Sequence, residues 1–330
     1  MNAEQAPDGK RAQPGWKWLA RGEWLDIVQH SPAATYYHTP YWCECVAAWR
    51  GKYAARAAGL RLPDGTRVAL PLLVRKGFYR IGPLGRGVST VPNTYGGPVA
   101  EGRALTGADW VDLFENQRSL VVRKVSIHGA PHQLPPGHLT PDLEWRDRHT
   151  YVIRLHEAVG ELIKGYSKGC TSSVKKGRRS GLTASRITTP TELKEYHGVY
   201  LDSVKRWGKD SSIGYPFHLF ESLNGLPGVE FWCARLSTGK IAAGGIFLYW
   251  NVRVQYWQGA MLAEFGDICP ANFLLDFLME DARARGFRTF DFNPSGGLKG
   301  VEDFKASFGA QPQPSPKWTW RRTLTGSLFH

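Results

Sequence analysis

No stretch of the chain approaches about 18 uninterrupted apolar residues, so no membrane-spanning helix is expected. The opening residues, MNAEQAPDGKRAQPGWKW, are polar and contain no apolar segment of the secretory kind; the cytoplasm is the expected compartment. Cysteine is scarce and unpatterned: five residues, at Cys43, Cys45, Cys170, Cys233 and Cys269. The first two are too close for an ordinary bridge, and no C-x-x-C or paired-histidine spacing offers a zinc site. Reduced cysteines and no metal are therefore expected. A Walker-type phosphate loop and a zinc-protease pair are missing as well. Acidic residues are outnumbered, 29 against 42 Lys and Arg, for a formal net charge of +13. That surplus points to a polyanionic partner: nucleic acid, an acidic lipid surface or a phosphorylated small molecule.

What is present fits a folded protein. A hydrophobic fraction of 42% with 12% aromatics excludes a disordered or fibrous chain, and 330 residues suffice for two domains with real cores. The first 15 residues read as a flexible leader. Helices are expected over Trp16 to Val28, Tyr41 to Arg50 and Gly107 to Arg118, with a strand at Arg123 to His128. Pro63-Asp64-Gly65 between two apolar runs predicts a hairpin. The stretch GAPHQLPPGHLTPDL (129–143) marks the domain boundary. ARLSTGKIAAGGIFLYW (234–250) resembles LRLPDGTRVALPLLV (60–74), which implies two copies of one α/β unit. A helix from Pro270 to Arg285, stopped by Gly286, places Phe273, Leu274, Phe277, Leu278 and Ala282 on one face. The strand RTFDF, a glycine-rich loop and an aromatic strand KWTWRR follow.

Three constellations bear on chemistry. In GYSKGCTSSVKKGRRSGL (165–182), Lys168, Lys175 and Arg179 share a helical face, and Lys176, Arg178 and Arg186 widen the patch. Charge of this density suits phosphates. Its four glycines make an independent helix marginal. The turn AEFGDICPAN (263–272) stands where acyl-CoA acetyltransferases cradle a pyrophosphate at a helix N-terminus. It carries Glu264 and Asp267, one glycine, and Pro270, which removes a donor, so an acyl-CoA site is disfavoured. In FDFNPSGGLKGVEDFKASFGA (290–310), several positions permit positive φ, and the loop leads to Phe304 and Lys305. A lysine there would place one positive charge over a reacting carbonyl or a neighbouring phosphate.

The order of LIKGYSKGCTSSVKKGRRSGLTA, VQYWQGA…PANFLLDFLMEDARARGFRTFDF and GLKGVEDFKASFGA, with HTPYW and YGGPVAE earlier, resembles the Fem family of aminoacyl-tRNA-dependent peptidyltransferases. That family belongs to the GNAT superfamily of N-acyltransferases. The resemblance implies an α/β fold of two tandem GNAT-like domains, each a mixed twisted sheet flanked by helices, over 16–145 and 146–330. It implies Lys305 with Phe304 at the reacting centre, and Lys175, Lys176, Arg178 and Arg179 on acceptor phosphates or tRNA backbone. Tyr95 and Glu101 would stand near the acceptor amine, and Trp207 and Tyr256 would line the cleft. Glu101 and Asp291 are the candidates for a general base. The expected function is transfer of a tRNA-borne amino acid to an amine of a small peptide, antibiotic or cell-wall precursor, by a monomer that needs no cofactor. The segment lacks the family's opening arginine, standing at Cys170 or Thr171, and no coiled-coil arm is present, which leaves the acceptor open. The alternatives are an acyl-CoA-dependent N-acyltransferase of the same superfamily and a non-catalytic RNA-binding module.

Overall fold

The computed structural model describes residues 15–77, 86–89, 94–116, 121–135, 144–157, 160–207 and 214–321, except for the Trp207 side chain. The expected leader, part of the 129–143 connector and the chain end fall largely or wholly outside these residues.

Two seven-stranded sheets organise the molecule. The first half begins with β1 (Lys17–Trp18) and helix α1 (Arg21–His30), where a single helix over 16–28 was expected. Trp18 pairs with Ala58, so the entry segment joins the sheet edge before the helix starts. Helix α2 (Pro40–Arg50) opens as the sequence signals: Pro40 lies in the first turn and Thr39 Oγ1 accepts from Trp42 N at 3.2 Å. Strands β2 (Tyr53–Arg61) and β3 (Arg67–Arg75) form the hairpin. Then come β4 (Arg86–Val88), β5 (Val99–Ala100), α3 (Gly107–Glu115) and β6 (Lys124–His128).

The second half holds β7 (His149–Arg154), α4 (Lys168–Arg179), β8 (Thr183–Arg186), α5 (Pro190–Trp207) and α6 (Phe217–Leu223). It continues with β9 (Val229–Arg235), β10 (Ile241–Trp250), β11 (Arg253–Met261), α7 (Pro270–Ala284), β12 (Thr289–Asp291), α8 (Lys299–Ser307), β13 (Gln311–Pro314) and β14 (Lys317–Arg321). Its sheet runs β13-β7-β12-β11-β10-β9-β8. The first runs β1-β2-β3-β4-β6-β14, with β5 on β3. The last strand of the chain thus returns to the first sheet: β14 pairs antiparallel with β6, and Trp318 and Trp320 enter the first core at 1% exposure each.

The internal repeat is physical. Arg61 Nη1 donates to Gly65 O at 2.8 Å, and Arg235 Nη1 donates to Gly239 O at 3.0 Å. Leu62 N bonds Thr66 O as Leu236 N bonds Lys240 O, and the two turn glycines have φ of 87° and 88°. Only glycine adopts that backbone without strain. Beyond each hairpin lies a parallel pair, β4 with β6 and β11 with β12, spanned by one helix, α3 or α7. Each half is therefore a mixed sheet with a helical crossover, the expected tandem architecture.

One apolar core spans the junction, joining Tyr36, Tyr37, Trp42 and Val46 to Tyr196, Phe220, Phe231 and Leu248. The expected apolar face of α7 holds for Phe273, Leu274, Leu278 and Ala282. Phe277 is instead 39% exposed, with one contact to the Trp232 ring at 5.7 Å between centres.

Candidate functional site

The site grows from the parallel pair. Strands β11 and β12 stay in register to Gln255 and Asp291, where their parallel pairing ends. The carboxyl end of parallel strands is where α/β sheets open to ligands. Asp291 is 5% exposed and faces the first half. Its Oδ1 accepts from Tyr95 Oη at 3.0 Å, Thr150 Oγ1 at 2.9 Å and the Asn293 N–H at 2.8 Å. Burial pushes the carboxyl above its ordinary range; the three hydrogen bonds and the charge of Lys305 oppose that rise. Among the described residues, Oδ2 carries no hydrogen bond.

Two residues on, Asn293 turns into the left-handed region at φ 59°, a conformation asparagine tolerates better than most side chains. Its amide nitrogen donates to Tyr37 Oη at 2.7 Å and to the Tyr256 carbonyl at 2.8 Å, bridging the gap between the strands. Its carbonyl accepts from Lys305 Nζ at 2.5 Å. Lys305 lies in the last turn of α8, not at the start of a helical turn after a loop, and it is 5% exposed. Desolvation lowers its pKa to about 8, against the pull of Asp291 and Glu302. A lysine so enclosed cannot swing over a substrate from the surface, as the glycine-rich loop suggested. Phe304 packs edge-on to Phe308, 5.3 Å between ring centres, at the margin of the second core.

Tyr95, Asp291 and Lys305 are therefore brought together, with Tyr256 attached through its backbone. The Tyr256 ring stacks on Phe247 in the second core, 5.1 Å between centres. Glu101 is not part of this group. It is held by Arg67, which also binds Asp26, and the guanidinium keeps its carboxyl below the usual range. Trp207 ends α5, and its side chain lies outside the described residues.

The basic segment does fold as a helix despite its glycines. Ser167 caps α4, with Oγ accepting from Cys170 N at 3.2 Å, and Cys170, Val174 and Gly177 face inward. Gly177 is required there: a Cβ would come within 2.7 Å of Phe273 Cβ and 3.4 Å of the Ile268 and Cys269 carbonyls. The α4–α7 contact thereby replaces the stability the helix lacks on its own. Lys175, Lys176 and Arg179 are exposed and make no ion pair among the described residues. Arg178 differs. It binds Asp276 at 2.7 Å, a carboxylate 2% exposed, and anchors α4 to α7.

The same packing bears on the turn before α7. Cys269 caps it in the left-handed region at φ 54°, Pro270 supplies no N–H, and α4 lies against the Ile268 and Cys269 carbonyls. Pro270 thus offers no donor and the Phe273 N–H is already bonded to the Cys269 carbonyl at 3.2 Å, so this turn presents fewer free N–H groups to a pyrophosphate.

The sequence reading missed Tyr37, Thr150 and Asn293. Each is a common residue type, and only the fold brings 37, 150 and 293 to one point. Aromatic contacts continue outward from Tyr37 to Trp42, Trp257, Tyr215 and Trp49, at 5.0 to 5.2 Å between neighbouring centres.

Residues 167–306, from α4 through most of α8, match the acetyltransferase (GNAT) domain family. Among solved structures, FemX is similar at a TM-score of 0.66, with 14% identity over 93% of this chain and 97% of that one. The chain has the FemX fold. The C-terminal domain of a protein named as a lysylphosphatidylglycerol synthetase, from Agrobacterium fabrum, shares this Fem-like fold. Its TM-score is 0.55, with 15% identity over 92% and 93% of the two chains. L-PGS from Bacillus licheniformis is similar at 0.51, with 12% identity over 82% and 85%. No curated protein sequence matches the chain. The GNAT domain makes this an acyltransferase, and the Fem-like fold places its second parallel-strand opening against the first half. Among the described residues, no helix is long and apolar enough to cross a membrane.

Proposed function

We propose that the chain transfers an aminoacyl group from tRNA to a primary amine, at the junction where Asp291, Lys305 and Tyr95 meet. The amine nitrogen attacks the ester carbonyl; the C–N bond forms and the bond from that carbon to the ribose oxygen breaks. Asp291 takes the proton released by the amine, and the ribose oxygen regains one on leaving. A carboxyl raised by burial suits that task, because a base works best with its pKa near the working pH. Lys305 supplies buried positive charge beside the negative charge that develops on oxygen. An ester donor is already activated, so positioning and charge suffice without a nucleophile or metal. The exposed Lys175, Lys176 and Arg179 of α4 meet the tRNA backbone.

The observation that carries this reading is the burial of Asp291 and Lys305, both hydrogen-bonded to the Asn293 backbone, at the opening of β11 and β12 in a fold shared with FemX. The packed turn before α7 favours tRNA over acyl-CoA as donor. The test is loss of radiolabelled amino acid from charged tRNA in the presence of a panel of small amines. The chain should accelerate it, and Asp291→Asn should reduce the acceleration by about a hundredfold, the usual scale for losing a general base. Thiol release from acetyl-CoA without any acceleration on charged tRNA would overturn the donor assignment.

A further inference from the structure

We propose that Asn293 is the positioning residue of this centre: its backbone and amide fix Asp291 and Lys305 to each other and to Tyr37 of the first half. The inference rests on the reading that Asp291 and Lys305 carry the transfer, and it adds what sets their geometry.

Asn293 is 3% exposed, and three of its polar groups make four hydrogen bonds at once. The N–H goes to Asp291 Oδ1, the carbonyl receives Lys305 Nζ, and the amide nitrogen serves both Tyr37 Oη and the Tyr256 carbonyl. Among the described residues, its buried Oδ1 has no hydrogen-bond partner. These contacts need the backbone near φ 59°, because only that turn aims N–H back at residue 291 while the side chain lies between the strands. A buried orphan acceptor and a left-handed non-glycine residue both cost stability. A residue serving the fold alone is replaceable by glycine, which takes that φ freely. What glycine cannot supply is the amide that ties Lys305's carbonyl partner to Tyr37 and β11.

Without that tie the 293 peptide is held less firmly, and water reaches Lys305. The charged and titratable groups around Lys305 then act through solvent: Asp291 on β12, Glu302 on α8 with His149 of β7 at 3.3 Å from it, and Tyr37, Tyr95 and Arg253 around Asp291. Desolvation is the largest influence on Lys305, so its relief moves the titration upward.

The experiment follows the Lys305 13Cε resonance against pH by NMR in lysine-labelled protein, assigned by its loss in Lys305→Met. It needs no substrate, so it stands even if the donor assignment fails in the tRNA assay. The wild type should titrate near pH 8. Asn293→Gly should raise the midpoint by about one unit, and Tyr37→Phe, which removes only the hydroxyl, should raise it less. In transfer assays both variants should lower kcat with the amine KM changed less than about threefold. An unchanged midpoint in folded Asn293→Gly and Tyr37→Phe would overturn the proposal. If Asn293→Gly does not fold, Tyr37→Phe alone decides. Loss of fold in both variants would also overturn it, since Asn293 would then be holding the fold and not the pair.

Discussion

Lys305 gives the clearest consequence of burial on a single side chain. Its folded pKa is depressed from 10.5 to about 8, so between those values the unfolded chain binds a proton that the folded chain has released. Stability must therefore rise with pH across that window, and the cost of burying the charge is felt in full below pH 8. The shift corresponds to about 3 kcal/mol, an order of magnitude rather than a fine value. Urea titrations from pH 7.5 to 10.5 should show a gain in the wild type that is missing in Lys305→Met. Equal slopes for the two would mean that Lys305 is not desolvated. Tyr95→Phe probes the partner: it removes a hydrogen bond to the Asp291 carboxylate, so the carboxyl moves further up and the acidic limb of the pH–rate profile should shift to higher pH. An acidic limb at the same pH in Tyr95→Phe as in the wild type would contradict the assignment of Asp291 as proton acceptor.

At the scale of elements, packing decides where local propensity was silent or misleading. Helix α4 carries four glycines in its neighbourhood, yet Gly177 is what allows it to lie on α7, and Arg178 is committed to Asp276. The α8 end makes a similar demand: Gly309 has φ 77°, and a Cβ there would stand 2.7 Å from the Gly165 carbonyl oxygen. Gly309→Ala should cost about 2 kcal/mol or more, because both the backbone and a fixed oxygen resist it. Chemical denaturation measures that directly. The hairpins, α2 and α7 were legible from turn residues, caps and apolar spacing, while α4 showed only the spacing of its basic residues on a marginal helix. The entry strand β1 was not, since two residues carry no period. Nor was the exposure of Phe277, which sits on the apolar face of α7 by spacing alone. For the centre, Asp291 and Lys305 were named from their residue types, and Tyr95 from the resemblance to the Fem family. Their joining through Asn293, Tyr37 and Thr150 was not: Thr150 and Tyr37 reach the centre from 141 and 256 positions away, and the nearer bonds of Asn293 depend on its left-handed backbone. Glu101 read equally well as a base and proved to be held in an ion pair with Arg67.

For the whole molecule, the return of β14 ties residues 317–321 to the first sheet, while β7, the next described strand after β6, joins the second. The halves are thus interlocked by strands as well as by the shared core. Trp320→Ala, which empties a fully buried site in the first core, should cost about 3–5 kcal/mol. Hydrogen exchange should then show β2, β3 and β6 opening together, with β9 to β12 still protected; uniform opening of both sheets would argue against the assignment of β14 to the first. The Fem-like fold sets two such units so that the second one's strand opening is closed by Tyr37 and Tyr95 of the first, which is why neither half holds the centre alone.

The most direct measurement is a binding titration of the purified chain with charged tRNA and with acetyl-CoA at two salt concentrations, in the wild type and in Lys175→Glu/Arg179→Glu. Micromolar or tighter binding of charged tRNA that weakens with salt, is reduced in the double variant and has no counterpart for acetyl-CoA is the predicted result. Binding of acetyl-CoA without tRNA, or tRNA binding indifferent to both salt and the α4 charges, would contradict it.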